Sequence, residues 1–463
     1  MKILQTSAFI ILILIIGSCN KDNTDPPPPP ETIDLSSYVA MGNSLTAGYA
    51  DGALYTSGQE YSYANILAEQ LSKAGGNGIF KTPIIPTEDG VFPTSNQSGI
   101  YLETKLVWAN KQNCNEVNEW VPVRLVENPN QEKLMDELMT NISSEGPFNN
   151  LGVPGITVTH MHLPGMGALN PYYGRFANNP SSDKLIDEAD KVDPTFFSLW
   201  VGNNDVLGYA SSGGTTSITT TQLFEISYDA AAAHLSSITE GGVLANIPDV
   251  ASAAFFTTIN YNFVNVETET EVEELQAFYV DYNQQMEALG KDYRINWSLG
   301  NNPMVIRDKD MDVSEELKIR QMTESELALL TIPLDSIYCG GWGATKPLSD
   351  SYVLSDSEIE LTIAAVATFN EIITIAAEKY DLAFVDFNTL MQEVANGGIT
   401  EDGIEFTTDF SFGNLFSLDG IHLTPRGNAL VANNFIEAIN AKYSLSVPKA
   451  IITDYPDNSK PTN

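Results

Sequence analysis

The sequence predicts an α/β domain with a doubly wound, mostly parallel sheet, and three observations carry that expectation. Apolar stretches of strand length recur at Tyr38–Met41, Thr195–Val201, Gly242–Ile247 and Leu382–Phe387. Helix-like patterns lie between them, at Tyr63–Lys73, Thr221–Ile238 and Ser357–Tyr380. The strand-length runs are apolar almost throughout, as expected of a sheet covered on both faces.

Taken in order, the first run stops at Gly42, where a strand would turn into a helix. The longest helical pattern repeats Ile359, Ile363, Val366, Phe369, Ile373 and Ala376 at helical spacing and closes on Lys379. A last helix is predicted from Pro425 or Arg426 to about Tyr443. Two stretches break the rhythm. Residues 75–147 are rich in Gly, Pro, Asn and Thr with little periodicity, and residues 260–346 hold acidic helical runs at Thr268–Gly290 and Ser314–Leu330. Both read as long insertions on one domain spanning residues 36–445, with a tail at 446–463. No repeat of roughly 20–50 residues is evident.

The N-terminus reads as an export signal, residues 1–18. Lys2 precedes an apolar run from Ala8 to Ile16, too short to span a bilayer, which needs about 20 residues. Ile16-Gly17-Ser18-Cys19 resembles a bacterial lipobox, which implies a lipid on Cys19 and a mature chain that starts there. Residues 19–35 then form a tether. Pro26–Pro30 favours extended polyproline II at ~3.1 Å per residue, which would hold a folded body off a membrane. Lys21-Asp22 resembles surface-export signals of some Gram-negative lipoproteins, so the expected location is outer membrane-anchored, facing the periplasm or the cell surface.

The formal net charge of −37, from 23 basic and 60 acidic side chains, disfavours nucleic acid and anionic headgroups as partners and favours a soluble surface. Three cysteines are present. With Cys19 lipidated, Cys114 and Cys339 remain, and an exported protein is permitted a disulfide between them. No Cys/His spacing suggests zinc.

The residues with chemical potential fall beyond the carboxyl ends of the predicted strands, where open parallel sheets bind ligands. Ser44 stands in Gly42-Asn43-Ser44-Leu45-Thr46, at a strand-to-helix turn. A nucleophile there would be exposed, with helix N–H groups and the dipole nearby, although serine is also a common helix cap. Near the other end, Asp419 precedes His422 by three positions in Leu418-Asp419-Gly420-Ile421-His422. That spacing lets a carboxylate orient an imidazole base within one loop. The chain has only four histidines, which makes this setting notable. Trp200-Val201-Gly202-Asn203-Asn204-Asp205 offers an amide donor for an oxyanion. Asn150-Leu151-Gly152-Val153-Pro154-Gly155-Ile156-Thr157 offers a glycine N–H for the same purpose.

In order and content these four segments resemble the SGNH (GDSL-type) hydrolase family, across residues 38 to about 440. The resemblance implies a flavodoxin-like three-layer α/β/α sandwich and hydrolysis of carboxylic esters without metal or other cofactor. It implies Ser44 as nucleophile, His422 as base and Asp419 as its orienting carboxylate. Ser44 N–H, Gly155 and Asn204 then form the oxyanion hole, with Gly152 an alternative to Gly155. Two departures stand out. The family usually has Asp where this chain has Asn43, and far more chain separates Ser44 from His422 than the minimal core requires. The two insertions account for the length and are expected to roof the cleft.

Within an esterase reading, carbohydrate O-acetyl and lipid acyl esters both remain open. A rival reading keeps the fold as a non-catalytic, glycan-binding surface lipoprotein. No Gly-x-Ser-x-Gly elbow is present. His160 and His162 form a His-x-His pair that a metal hydrolase would use with acidic neighbours, whereas the plainer expectation is packing in a loop. Trp342 and Tyr172-Tyr173 fit either a substrate wall or the core.

Overall fold

The computed structural model describes residues 33–96, 99–410, 412–457 and 460–461. The predicted signal, Cys19 and the tether as far as residue 32 lie outside the described residues.

Five strands form one parallel sheet: β1 (Tyr38–Gly42), β2 (Asn150–Gly152), β3 (Phe196–Trp200), β4 (Gly241–Ala245) and β5 (Ala383–Val385). Their order is β5-β4-β3-β1-β2, the flavodoxin-like order, with its reversal between β1 and β3. Every residue of β1, β3 and β4 is buried, which is why these strands are apolar on both faces.

The helices that bear on the sheet are α1 (Ser44–Ala47), α2 (Tyr63–Ser72), α3 (Asn204–Ser211), α4 (Thr221–Ile238), α5 (Asp356–Lys379) and α6 (Pro425–Tyr443). They cover the sheet as two layers. Phe196 and Trp200 of β3 meet Tyr443 and Phe435 of α6, and Tyr63 of α2 packs edge-on to Trp200. In the other layer, Phe224 of α4 stacks on Phe369 of α5 with ring centroids 4.0 Å apart.

The predicted strands and the helices at α2, α4, α5 and α6 stand where the apolar patterns place them, within a residue or two at their ends. β2 is not among the predicted strands. It is three residues long and opens on a polar residue, too short to show a period. Its burial is made possible by Asn150, whose Nδ2 donates to Thr46 O at 2.9 Å, and by Gly152. A Cβ at Gly152 would sit 2.2 Å from the Ala47 nitrogen.

The first aperiodic stretch holds two antiparallel hairpins, Phe92–Asn96 with Gly99–Glu103 and Leu106–Gln112 with Asn118–Arg124, followed by a helix at Gln131–Met139. In the second, Thr268–Gly290 is two helices, Glu269–Phe278 and Val280–Ala288, broken at the buried Tyr279. The helix expected at Ser314–Leu330 is absent. That segment forms a short turn at Glu315–Leu317 and strands at Ile319–Gln321 and Leu327–Ala328, paired to Val305–Arg307 and Val353–Leu354. Extended pairing places Arg320 between Asp308 and the buried Glu326, at 2.7 and 2.5 Å, so tertiary ion pairing outweighs an acidic, helix-friendly composition.

Candidate active site

β1 delivers the chain to Asn43 and Ser44. The capping role that a serine here could have filled belongs to Asn43, whose Oδ1 accepts from Leu45 N–H at 3.1 Å, and Ser44 is the first helical residue. Helix α1 is a single turn, so the dipole expected behind Ser44 is slight. Asn43 is buried, and its Nδ2 donates to Asn203 Oδ1 at 3.2 Å. An amide therefore serves here both as cap and as donor; a carboxylate at 43 would need Asn203 turned to present its own NH₂.

The loop before α6 returns to the same place. His422 Nε2 lies 2.8 Å from Ser44 Oγ, and His422 Nδ1 lies 2.9 Å from Asp419 Oδ2. Asp419 collects further donors: Gly52 N–H on Oδ2 at 2.8 Å, and His422 N–H and Ile421 N–H on Oδ1 at 2.8 and 2.9 Å. Burial alone would raise its pKa. The neighbouring His422 and these hydrogen bonds outweigh that, and hold the carboxyl well below the usual carboxylate range. The arrangement provides a hydroxyl, a base able to take its proton and an ionised carboxylate fixing the base's tautomer.

Residues that the sequence reading missed hold this loop. Asp51 Oδ1 accepts from Leu418 N–H at 3.0 Å, while its backbone N–H donates to Ser417 Oγ at 2.9 Å. Tyr55 OH donates to Asp51 Oδ2 at 2.6 Å. Tyr49 packs its ring against His422, centroids 4.6 Å apart. The available signal was the Asp51-Gly52 turn just after Ser44, which by itself reads as punctuation.

Asn204 shares a cavity lining with Ser44, and its side chain is tied to the loop that carries Gly155. Asn204 opens α3 and gives one Nδ2 hydrogen to Ile156 O at 2.8 Å, which leaves its second hydrogen free for another acceptor. Gly155 adopts a left-handed backbone (φ +78°) with open space at its Cβ position. Neither Ser44 N–H nor Gly155 N–H has a protein acceptor among the described residues. Gly152 N–H is taken by Asn150 Oδ1 at 3.0 Å, which sets aside Gly152 as the alternative donor.

Asp205, buried beside Asn204, accepts from Val158 N–H at 2.9 Å and so ties the Gly155 loop to α3. Burial raises its pKa to about 6, against the lowering effect of its hydrogen bonds. The folded protein thus binds this proton more tightly than the unfolded chain, and stability falls as pH rises from about 4 to about 6. Asp205→Asn keeps an acceptor and removes the charge. Thermal unfolding should show the variant more stable than wild type at pH 8, with the difference vanishing below pH 4.

His160 and His162 are spent on local contacts. His160 Nδ1 accepts from Thr157 N–H at 3.1 Å, and His162 Nε2 lies 2.9 Å from Ser227 O. Burial lowers the pKa of both. Among the described residues, no group of three or more His, Cys, Asp or Glu is placed to hold a metal. Tyr172 and Tyr173 are core residues, with Tyr172 OH donating to Val91 O at 2.8 Å, and Trp342 packs on Tyr352.

Two cavities meet at this site. One of about 60 Å³ contains Ser44, Asn43 and Asn204 and is walled by Leu45, Leu207, Val250 and Phe416. The other, a cleft of about 680 Å³, runs between the Leu106–Arg124 hairpin and residues 330–335. Ile421 and His422 line both. A disulfide between Cys114, at the hairpin tip, and Cys339 (Cα atoms 6.3 Å apart) joins the two insertions at the outer end of the cleft.

No protein-family model matches this chain, and no curated protein matches it. Among solved structures it is similar to LAE5, an α/β hydrolase from the metagenome of Lake Arreo, Spain, at 10% identity and a TM-score of 0.35, over 88% of this chain and 97% of that one. It is likewise similar to Axe2, an acetylxylan esterase from Geobacillus stearothermophilus, at 10% identity and a TM-score of 0.35, over 90% and 99%. Likeness at this level assigns no activity or substrate.

Proposed function

We propose that the chain is a serine esterase of the SGNH (GDSL) type, exported and held to a membrane by a lipid on Cys19. The observation that carries the reading is the hydrogen-bonded chain from Ser44 Oγ through the His422 ring to Asp419. Ser44 Oγ attacks the ester carbonyl carbon while His422 Nε2 takes its proton. The oxyanion is met by Ser44 N–H, Gly155 N–H and Asn204 Nδ2. The C–O bond to the alcohol breaks as His422 returns the proton to the leaving oxygen. Water, deprotonated by His422, then releases the acid from Ser44.

The test is hydrolysis of p-nitrophenyl acetate by the soluble domain, with and without excess chelator. Turnover that chelation leaves unchanged is the expected result. Loss on chelation, restored by a divalent metal, would overturn the serine mechanism and return attention to His160 and His162.

A further inference from the structure

The two cavities differ tenfold in size, and the placement of His422 between them orients an ester across the site. The carbonyl has to lie beside Ser44 and Asn204, which both line the small cavity. The leaving oxygen has to reach the imidazole that returns its proton, and His422 forms the wall shared with the large cleft. The acyl substituent therefore stays in the small cavity, while the alcohol passes Ile421 into the cleft.

Size then decides what each side admits. A cavity needs ~10–15 Å³ to hold one water-sized group. The cavity of about 60 Å³ at Ser44 thus takes an acyl group of only a few heavy atoms. The cleft offers about 680 Å³. Its hairpin wall, Leu106–Gln112, is seven residues long, or ~23 Å at the usual strand rise. Near the site the cleft is lined by Leu106, Phe92, Phe255, Leu330 and Ile332. Of its polar members, Lys111, Gln112, Asn113, Glu119 and Asp335 gather at the disulfide end, and Thr331 lies on the facing wall. Arg124, which donates to Gly52 O at 3.1 Å, is already paired with Glu103 at 2.7 Å.

Resting on the esterase reading, we infer that the substrate is a short-acyl ester, acetyl to butyryl, of a bulky and largely apolar alcohol. Such an alcohol lies along the apolar wall next to the site and places any polar end beside Lys111 and Asp335.

Two substrate series test this. With p-nitrophenyl esters from acetyl to dodecanoyl the alcohol is constant, and kcat/KM should fall at least tenfold beyond butyryl. With alkyl acetates from ethyl to octyl the acyl group is constant, and kcat/KM should rise about two- to fourfold per methylene over the first few carbons. Leu334 also lines the cleft; Leu334→Asp should abolish that rise and Leu334→Ala should shrink it, with circular dichroism and the thermal midpoint reporting on folding. Rising kcat/KM with acyl length, or a flat alcohol series, would overturn the inference while leaving the esterase reading intact. Absence of Ser44-dependent hydrolysis of every ester would overturn both.

Discussion

Ser44→Ala is expected to lower kcat for p-nitrophenyl acetate by about three orders of magnitude or more, leaving the rate that binding and the amide donors alone provide. The substitution removes the oxygen that lies 2.8 Å from His422 Nε2 and takes nothing from the fold. Ser44 is buried but is not the cap of α1, since Asn43 supplies that hydrogen bond. Circular dichroism and the unfolding midpoint should therefore match wild type. Retention of more than about a tenth of wild-type kcat, a barrier change of under about 1.4 kcal/mol, would mean that another group performs the attack.

Asp419→Asn should be nearly as damaging to activity, for a different reason. An amide at 419 can present an N–H to His422 Nδ1, which favours the tautomer carrying its proton on Nε2, and that tautomer cannot accept from Ser44. A loss of about 10³–10⁴ in kcat is the expected size. The same change should also cost stability with a defined pH signature. The Asp419 pKa is lower in the folded protein than in the unfolded chain, so its carboxylate stabilises the fold above the unfolded value. That contribution is lost as pH falls through the lower folded value. Wild type and Asp419→Asn should accordingly differ in unfolding midpoint at pH 7 and converge in strong acid. A variant with wild-type kcat would show that His422 needs no orienting carboxylate.

Much of this fold is legible in the sequence because helices cover the sheet on both faces. β1, β3 and β4 are buried throughout, and continuous apolar runs at those positions follow directly. β2 escapes because its burial depends on Asn150 and Gly152 answering α1, a contact that no local period announces. Ser314–Leu330 misleads for a similar reason: Arg320 takes its conformation from Asp308 and Glu326 rather than from its neighbours' helix propensity.

The candidate site divides the same way. Ser44, Asp419 and His422 sit in short segments whose order and content together resemble a known family, so they could be named as candidates from the chain alone. Asp51 and Ser417 could not, since their link joins positions 366 residues apart. Choosing between Gly152 and Gly155 required knowing which N–H was already engaged. Cys114 and Cys339 were known only to be a permitted pair until the two insertions placed them 6.3 Å apart at Cα.

If His422 and Asp419 make Ser44 a nucleophile, a fluorophosphonate, which phosphonylates activated serines and spares ordinary ones, reads that property directly. Peptide mass spectrometry of the labelled protein should place one phosphonyl group on the peptide containing Ser44. The Ser44→Ala and His422→Ala variants should take up none, and labelling should remove esterase activity in proportion. An unlabelled Ser44 in a protein that hydrolyses esters, or full activity after Ser44 is labelled, would contradict the account.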